Sequence, residues 1–276
     1  LSITGKIEDG QVKDGRAVAG VAEWADSSVN IQIGCIHKCL YCFALNNSVR
    51  FKRRTPANWG ETEIVKEKVD KAYHKRAGTI MFPTSHDIDP ENLTSCIVVL
   101  KKMLAAGNRV LIVSKPHLEC VKALCRELFV FKKKILFRFT IGSTDDDVLR
   151  FWEPGAKGFS ERLASLRSAY EAGFETSVSC EPMLDLNIGN VIEKCRPFVS
   201  DAIWLGRANR LRGCIAINCP GNQAAKAATE RLLSEQTDEY LKQLYERYKD
   251  DNKIRYKESV KVAAGLTRPT KRGLDI

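Results

Sequence analysis

No apolar run in this 276-residue chain is long enough to cross a bilayer, and the opening residues LSITGKIEDGQVKDG contain no apolar stretch of the kind a secretion signal needs. A membrane-embedded or exported protein is therefore not expected, and a cytoplasmic location is. Internal repeats and low-complexity tracts are also missing, so neither a repeat array nor a disordered chain is expected. No cysteine-rich segment closes the sequence, and no compact second C-x2-C pair accompanies its first cysteine cluster. Those last absences matter because the chain nevertheless has ten cysteines. Without an export route a disulfide framework is not expected, since a reducing cytosol keeps thiols free, and metal or cofactor binding becomes the first question. A net charge of +10 points toward a polyanionic partner, although the charge is spread along the chain and a solvated basic surface explains it equally well.

From residue 29 onward, short β-branched runs alternate with longer amphipathic segments, the pattern of βα units around a parallel sheet. Six strands are expected, at 29–33, 79–82, 109–113, 134–141, 176–179 and 202–205. Between them, segments such as 161–172 carry apolar residues at helical spacing, with Leu163, Leu166 and Tyr170 on one face. Beyond residue 220 the pattern becomes helical, and the final TRPTKRGLDI reads as a loose basic tail. The expected organisation is an N-terminal extension over 1–28, a strand–helix domain over 29–219, and a C-terminal helical extension with its tail over 220–276. In open sheets and barrels of this kind the reactive groups collect in loops at the carboxyl ends of the strands.

The loop after the first expected strand, NIQIGCIHKCLYCFA, places Cys35, Cys39 and Cys42 at C-x3-C-x2-C. Three thiolates from one short loop can ligate three irons of a cubane [4Fe-4S] cluster and leave the fourth iron without a protein ligand. Zinc is the lesser reading, because a structural site normally takes four protein ligands and a catalytic one three plus water. A second cluster on Cys180, Cys195, Cys214 and Cys219 is a weaker alternative to separate buried thiols, since their spacing is irregular. CIHKCLYC resembles the C-x3-C-x-Φ-C signature of the radical S-adenosylmethionine superfamily, with Tyr41 as its aromatic residue. Six βα units after the motif extend the resemblance over nearly the whole chain. The resemblance implies a partial (β/α)6 TIM-type barrel and a cofactor, S-adenosylmethionine, whose amino and carboxylate groups chelate the open iron. It further implies a flavodoxin- or ferredoxin-like electron donor and cleavage of the sulfonium to a 5'-deoxyadenosyl radical.

Looser matches are similar to the branch containing spore photoproduct lyase and the DNA repair photolyase-like proteins. The resemblance assigns the strand-end segment MFPTSHDIDPENL to the cofactor's amino group, with Thr84, Ser85 and Asp87 as acceptors, although Ser85 or Asp87 could equally cap the next helix. In IVSKP, Ser114 and Lys115 resemble the strand-end Ser/Thr-Lys pair that would meet the cofactor carboxylate, against the ordinary fate of a solvated lysine. Thr140 is a candidate for the ribose or carboxylate, and Arg207 for cofactor or substrate. FWEPGAKGFSERL is similar to the branch's EP-x-A-P segment, with Lys157 where that pattern has proline. Glu153 and Arg162 are expected to form a buried pair that fixes this loop.

Cys180 and Glu181 end the fifth expected strand. The thiol is a candidate hydrogen-atom donor, although strand cysteines are mostly packing residues, and the carboxylate could bind ribose or a cationic substrate. His86 is the more plausible proton-transfer group, whereas the motif requires nothing of His37. The basic runs 50–54 and 207–212, with Phe51 or Trp59 for base stacking, make nucleic acid the leading substrate. A metabolite or peptide substrate is the alternative, and an iron–sulfur sensor without turnover the reading from another class.

Overall fold

Residues 17–273 are described by the computed structural model. Nine strands run in chain order as β1 (Ser27–Ser28), β2 (Gln32–Ile33), β3 (Glu63–Ile64), β4 (Thr79–Phe82), β5 (Arg109–Ser114), β6 (Ile135–Thr140), β7 (Glu175–Cys180), β8 (Ile203–Leu205) and β9 (Ile254–Tyr256). Seven of them form one all-parallel sheet in the order β1-β4-β5-β6-β7-β8-β9. Helices fill the connections: α1 (Val21–Trp24), α2 (Phe43–Arg50), α3 (Lys66–Asp70), α4 (Leu93–Ala105), α5 (Leu118–Glu127), α6 (Asp146–Trp152), α7 (Phe159–Glu171), α8 (Ile188–Cys195), α9 (Leu211–Asn218), α10 (Gln223–Glu235), α11 (Asp238–Tyr248) and α12 (Glu258–Ala263). This is the expected partial barrel, enlarged by one strand.

Side chains alternate across the sheet, and residues paired in register share a face. One face carries Phe82, Ile112, Phe137, Phe139, Val178, Cys180 and Leu205, buried in the main apolar core with Leu100, Leu124, Leu166 and Val191 of the surrounding helices. The opposite face carries Met81, Leu111, Val113 and Leu136 beneath Trp24 and Ala25 at the end of α1. Deeper along that second face sits Arg138, bonded to Ser177 Oγ at 3.0 Å and Asp201 at 3.0 Å, its guanidinium 4.5 and 4.9 Å from the ring centres of Trp24 and Trp204, which meet each other edge-on. With one face committed to helices, ligand chemistry falls to the other face and to the loops at its carboxyl edge.

Three expectations need correction. The run 29–33 is not one strand: Ser27–Ser28 pairs with β4, while Gln32–Ile33 leaves the sheet and pairs antiparallel with β3. The sheet is not confined to 29–219, because β9, far along the chain, adds to its open edge beside β8. Nor is the basic tail loose as far as it is described. Val18 donates to the Pro269 carbonyl at 2.8 Å, Gly273 to Ala22 at 2.9 Å, and Arg268 pairs with Glu258 at 2.5 Å. Residues 1–16 of the expected N-terminal extension and 274–276 of the tail lie outside the described residues.

Candidate functional site

The cysteine loop enters through Gly34, whose φ of +85° suits glycine and where a Cβ would sit 2.8 Å from the carbonyl oxygens of Trp59 and Glu61. Backbone bonds then fasten the loop to its surroundings: Cys35 N–H to Trp59 O at 3.0 Å, Leu40 N–H to Trp152 O at 2.9 Å, and Gly155 N–H to His37 O at 3.0 Å. Cys42 caps α2, its Sγ accepting the Leu45 N–H at 3.3 Å. All three cysteines are free. Burial pushes the Cys35 thiol up to about 12, and burial likewise raises Cys39 and Cys42. Cys42 lies within electrostatic reach of both others, and Asp87 within reach of all three.

These residues fit an iron–sulfur cluster. Thiols this deep stay neutral until a metal takes the place of their protons, and they present a soft, anionic donor set when it does. A competing trio, Cys35, His37 and Asp87, has ligand atoms within 4.8 Å of one another. Its nitrogen and oxygen donors are already spent on each other and on further partners, so a single ion there would have to break a finished network.

That network centres on Asp87. Its carboxylate accepts from His37 Nδ1 at 2.8 Å, Ser114 Oγ at 3.1 Å and the Lys115 backbone N–H at 2.7 Å, and the Lys115 ammonium lies 3.7 Å away. Burial by itself would raise the Asp87 pKa, but Lys115 and then His37 pull it well below the usual carboxylate range. Asp87 is thus saturated by the protein and orients its neighbours. Lys115 keeps capacity: its ammonium makes no hydrogen bond to a described residue, stands 5.7 Å from the Tyr41 ring centre, and is only 12% exposed. Burial lowers its pKa, but Asp87 and the other anionic or ionisable groups around it together hold it well above the usual lysine value, so it remains a cation close to the thiols. Asn30, unremarked in the sequence, organises the loop after β4: its Oδ1 accepts from the Thr84 and Ser85 N–H groups and its Nδ2 donates to Thr84 Oγ1 at 2.7 Å. The Ser85 hydroxyl makes no hydrogen bond to a described residue.

His37 and His86 exchange their expected importance. His86 is buried with both ring nitrogens committed to backbone, Nε2 accepting from Ile31 N–H at 3.3 Å and Nδ1 donating to Asp87 O at 3.0 Å. His37 continues the Asp87 chain, its Nε2 lying 2.9 Å from His117 Nε2 with the two rings stacked. Sequence reasoning missed this pair because the partner lies eighty positions away.

Glu153 and Arg162 form the expected ion pair, fully buried at 2.5 Å. The pair reaches further than the sequence implied. Tyr41 donates its hydroxyl to Glu153, while Arg162 donates to the Lys157 carbonyl at 2.6 Å and to the Thr140 carbonyl at 3.1 Å. This ion pair and its hydrogen bonds therefore tie the cysteine loop to the end of β6, where Thr140 is in register with Ser179.

Other candidates lie elsewhere. Cys180 is fully buried on the helix-covered face, within electrostatic reach of Cys195 on α8, because strand alternation turns it away from the face that Thr140 shares with Ser179. A hydrogen-donor role is not supported by that placement. Glu181, one residue on, accepts from Asn209 Nδ2 at 3.2 Å and lies 3.5 Å from the ammonium of Lys257, itself buried against Glu23 at 2.8 Å. Burial raises the Glu181 pKa against the pull of Lys257. Arg207 points away, its guanidinium taken by the Gln236 carbonyl at 3.2 Å and Asp238 at 2.8 Å. Trp59 is 3% exposed and cannot stack on a base, whereas Phe51 is 60% exposed and flanked by Arg50 and Arg53 at 5.6 and 5.5 Å. Phe43, beside Cys42, is exposed as well.

No protein-family model matches the chain. It is 27% identical over 176 residues to an uncharacterized protein, ORF301, of Acidianus two-tailed virus, covering 59% of this chain and 57% of that one. A variant of spore photoproduct lyase bound to dinucleoside spore photoproduct superposes with a TM-score of 0.52 at 16% identity, over 75% of this chain and 64% of that one. Streptococcus suis SuiB bound to precursor peptide SuiA superposes with a TM-score of 0.51 at 13% identity, over 87% of this chain and 50% of that one. The chain thus spans less than two thirds of each of these proteins. Its fold is the one that spore photoproduct lyase and SuiB share.

Proposed function

We propose that this chain is a radical S-adenosylmethionine enzyme acting on nucleic acid. The observation that carries the reading is the set of three free thiols, Cys35 and Cys39 buried and Cys42 half-buried, beside an ammonium with unused donors at the carboxyl edge of the sheet. Cys35, Cys39 and Cys42 would hold the [4Fe-4S] cluster, which with S-adenosylmethionine supplies reductive cleavage of the sulfonium to a 5'-deoxyadenosyl radical. Lys115 receives the methionine carboxylate with the donors it has free, and Asp87 with Ser114 fixes it for that task. Thr84 and Ser85 offer acceptor oxygens to the ammonium from a loop that Asn30 holds in shape. Tyr41 is immobilised by Glu153, which keeps the cysteine loop closed against water. Thr140 and Glu181 face the same edge as polar contacts for ribose or substrate.

Nucleic acid is favoured by the surface beside the loop. Phe51 offers an exposed ring close to two guanidiniums, at the C-terminal end of the helix that Cys42 caps. The lyase relative binds a dinucleoside photoproduct, which agrees with that chemistry. A peptide substrate is the second reading, favoured by the wider overlap with a relative bound to a precursor peptide. Substrate-dependent 5'-deoxyadenosine release from the anaerobically reconstituted protein tests both. Stimulation by oligonucleotides that fades steeply with salt and is lost in Phe51→Ala supports the first reading. Release without any response to oligonucleotides removes it, and absence of release leaves only a cluster-binding protein.

A further inference from the structure

The last residue of α9, Asn218, reaches across the chain to the cysteine loop. Its Nδ2 donates to the Leu40 carbonyl at 2.9 Å and to the Cys42 carbonyl at 2.9 Å, both at sequence separations above 170. Those two carbonyls straddle Tyr41, and Leu40 follows Cys39 directly. Both amide hydrogens of one buried side chain are thus committed to the segment that carries two of the three thiols. Its Oδ1 is buried with no hydrogen-bond partner, a cost a protein accepts seldom and usually for a purpose. Replacing the amide by an apolar group of the same size would relieve that orphan, so packing alone does not account for asparagine.

The rest of α9 explains how the contact is aimed. The helix follows the β8 loop, where Asn209 bonds Glu181 at the edge of the sheet. Near its middle the Gly213 carbonyl accepts from Asn46 of α2 at 3.4 Å. The helix therefore runs from the strand-end carboxylate to the cysteine loop and is fastened at both.

We infer that Asn218 is a positioning residue for the cluster, holding Cys39 and Cys42 in the geometry that three-iron ligation needs. The inference rests on the proposed assignment of the three cysteines, and two arms keep the failures apart. In the iron-free full-length chain, iodoacetamide labelling of Cys39 and Cys42 reads loop opening directly. Asn218→Leu keeps the volume and Asn218→Asp keeps the shape but loses the donors, and both should label about thirtyfold faster than the parent, the factor to which two lost hydrogen bonds of about 1 kcal/mol each correspond. In the reconstituted chain, both variants should release iron to a chelator faster by a similar factor and shift the electron paramagnetic resonance signature of the reduced cluster. Parental labelling rates in Asn218→Leu would overturn the clamp whether or not iron binds. Failure of the parent to take up iron, with labelling accelerated as expected, would leave the clamp standing and remove the cluster assignment.

Discussion

Asp87 and Lys115 show how much of the site is decided by single side chains. A carboxylate with three hydrogen bonds and a cation 3.7 Å away holds a lysine that would otherwise be a poorly solvated charge. Asp87→Asn should destabilise the fold by about 3–5 kcal/mol, the usual cost of leaving one buried partner uncompensated, and Asp87→Asn with Lys115→Met should recover much of the loss. Urea titration of the parent and the two variants measures this. His117 makes a second residue-scale prediction. Burial first, then the neighbouring His37, lowers its pKa from 6.5 to about 4, so the folded chain favours the neutral ring. The unfolded chain takes up a proton first as pH falls, so this contribution to stability is complete above pH 6.5 and lost between there and about 4. His117→Gln should flatten the stability profile in that window; an unchanged slope would show that the ring does not titrate as described. Neither the lysine's partner nor the histidine pair was legible beforehand, since both depend on which loops the sheet brings together.

At the scale of elements, the sequence foretold strand positions better than strand ends. The strands containing 79–82, 109–113 and 176–179 were readable from their apolar and β-branched runs, which the two-sided burial of a parallel sheet requires. β9 was hidden because Ile254–Tyr256 is only three residues long, with Arg255 between its apolar residues and lysines on both sides. Alternation along β7 places Cys180 on the helix-covered face, in register with Leu205. The Glu153–Arg162 pair was legible in kind; its link to Tyr41 was not. Because that pair joins the cysteine loop to the end of β6, Arg162→Met should cost about 3–5 kcal/mol by stranding Glu153. It should also raise hydrogen exchange at the amides of residues 39–42, and unchanged exchange there would confine the pair to holding its own loop.

Across the whole molecule, one face of the sheet is sealed by helices and the other is left for chemistry, with thiols, Lys115, Thr140 and Glu181 delivered to its edge by different strands and loops. No helix among the described residues is long and apolar enough to cross a membrane. Arg50 and Arg53 gather around the exposed Phe51 ring at the end of the helix that Cys42 caps. The central claim is that Cys35, Cys39 and Cys42 jointly bind one cubane cluster. Iron, sulfide and zinc analysis of the anaerobically reconstituted chain, beside its Cys35→Ala, Cys39→Ala and Cys42→Ala variants, tests it most directly. The account predicts about four irons and four sulfides per parent chain and loss of the cluster in each variant. Stoichiometric zinc without sulfide, or a full complement of iron in any one of the variants, would contradict it.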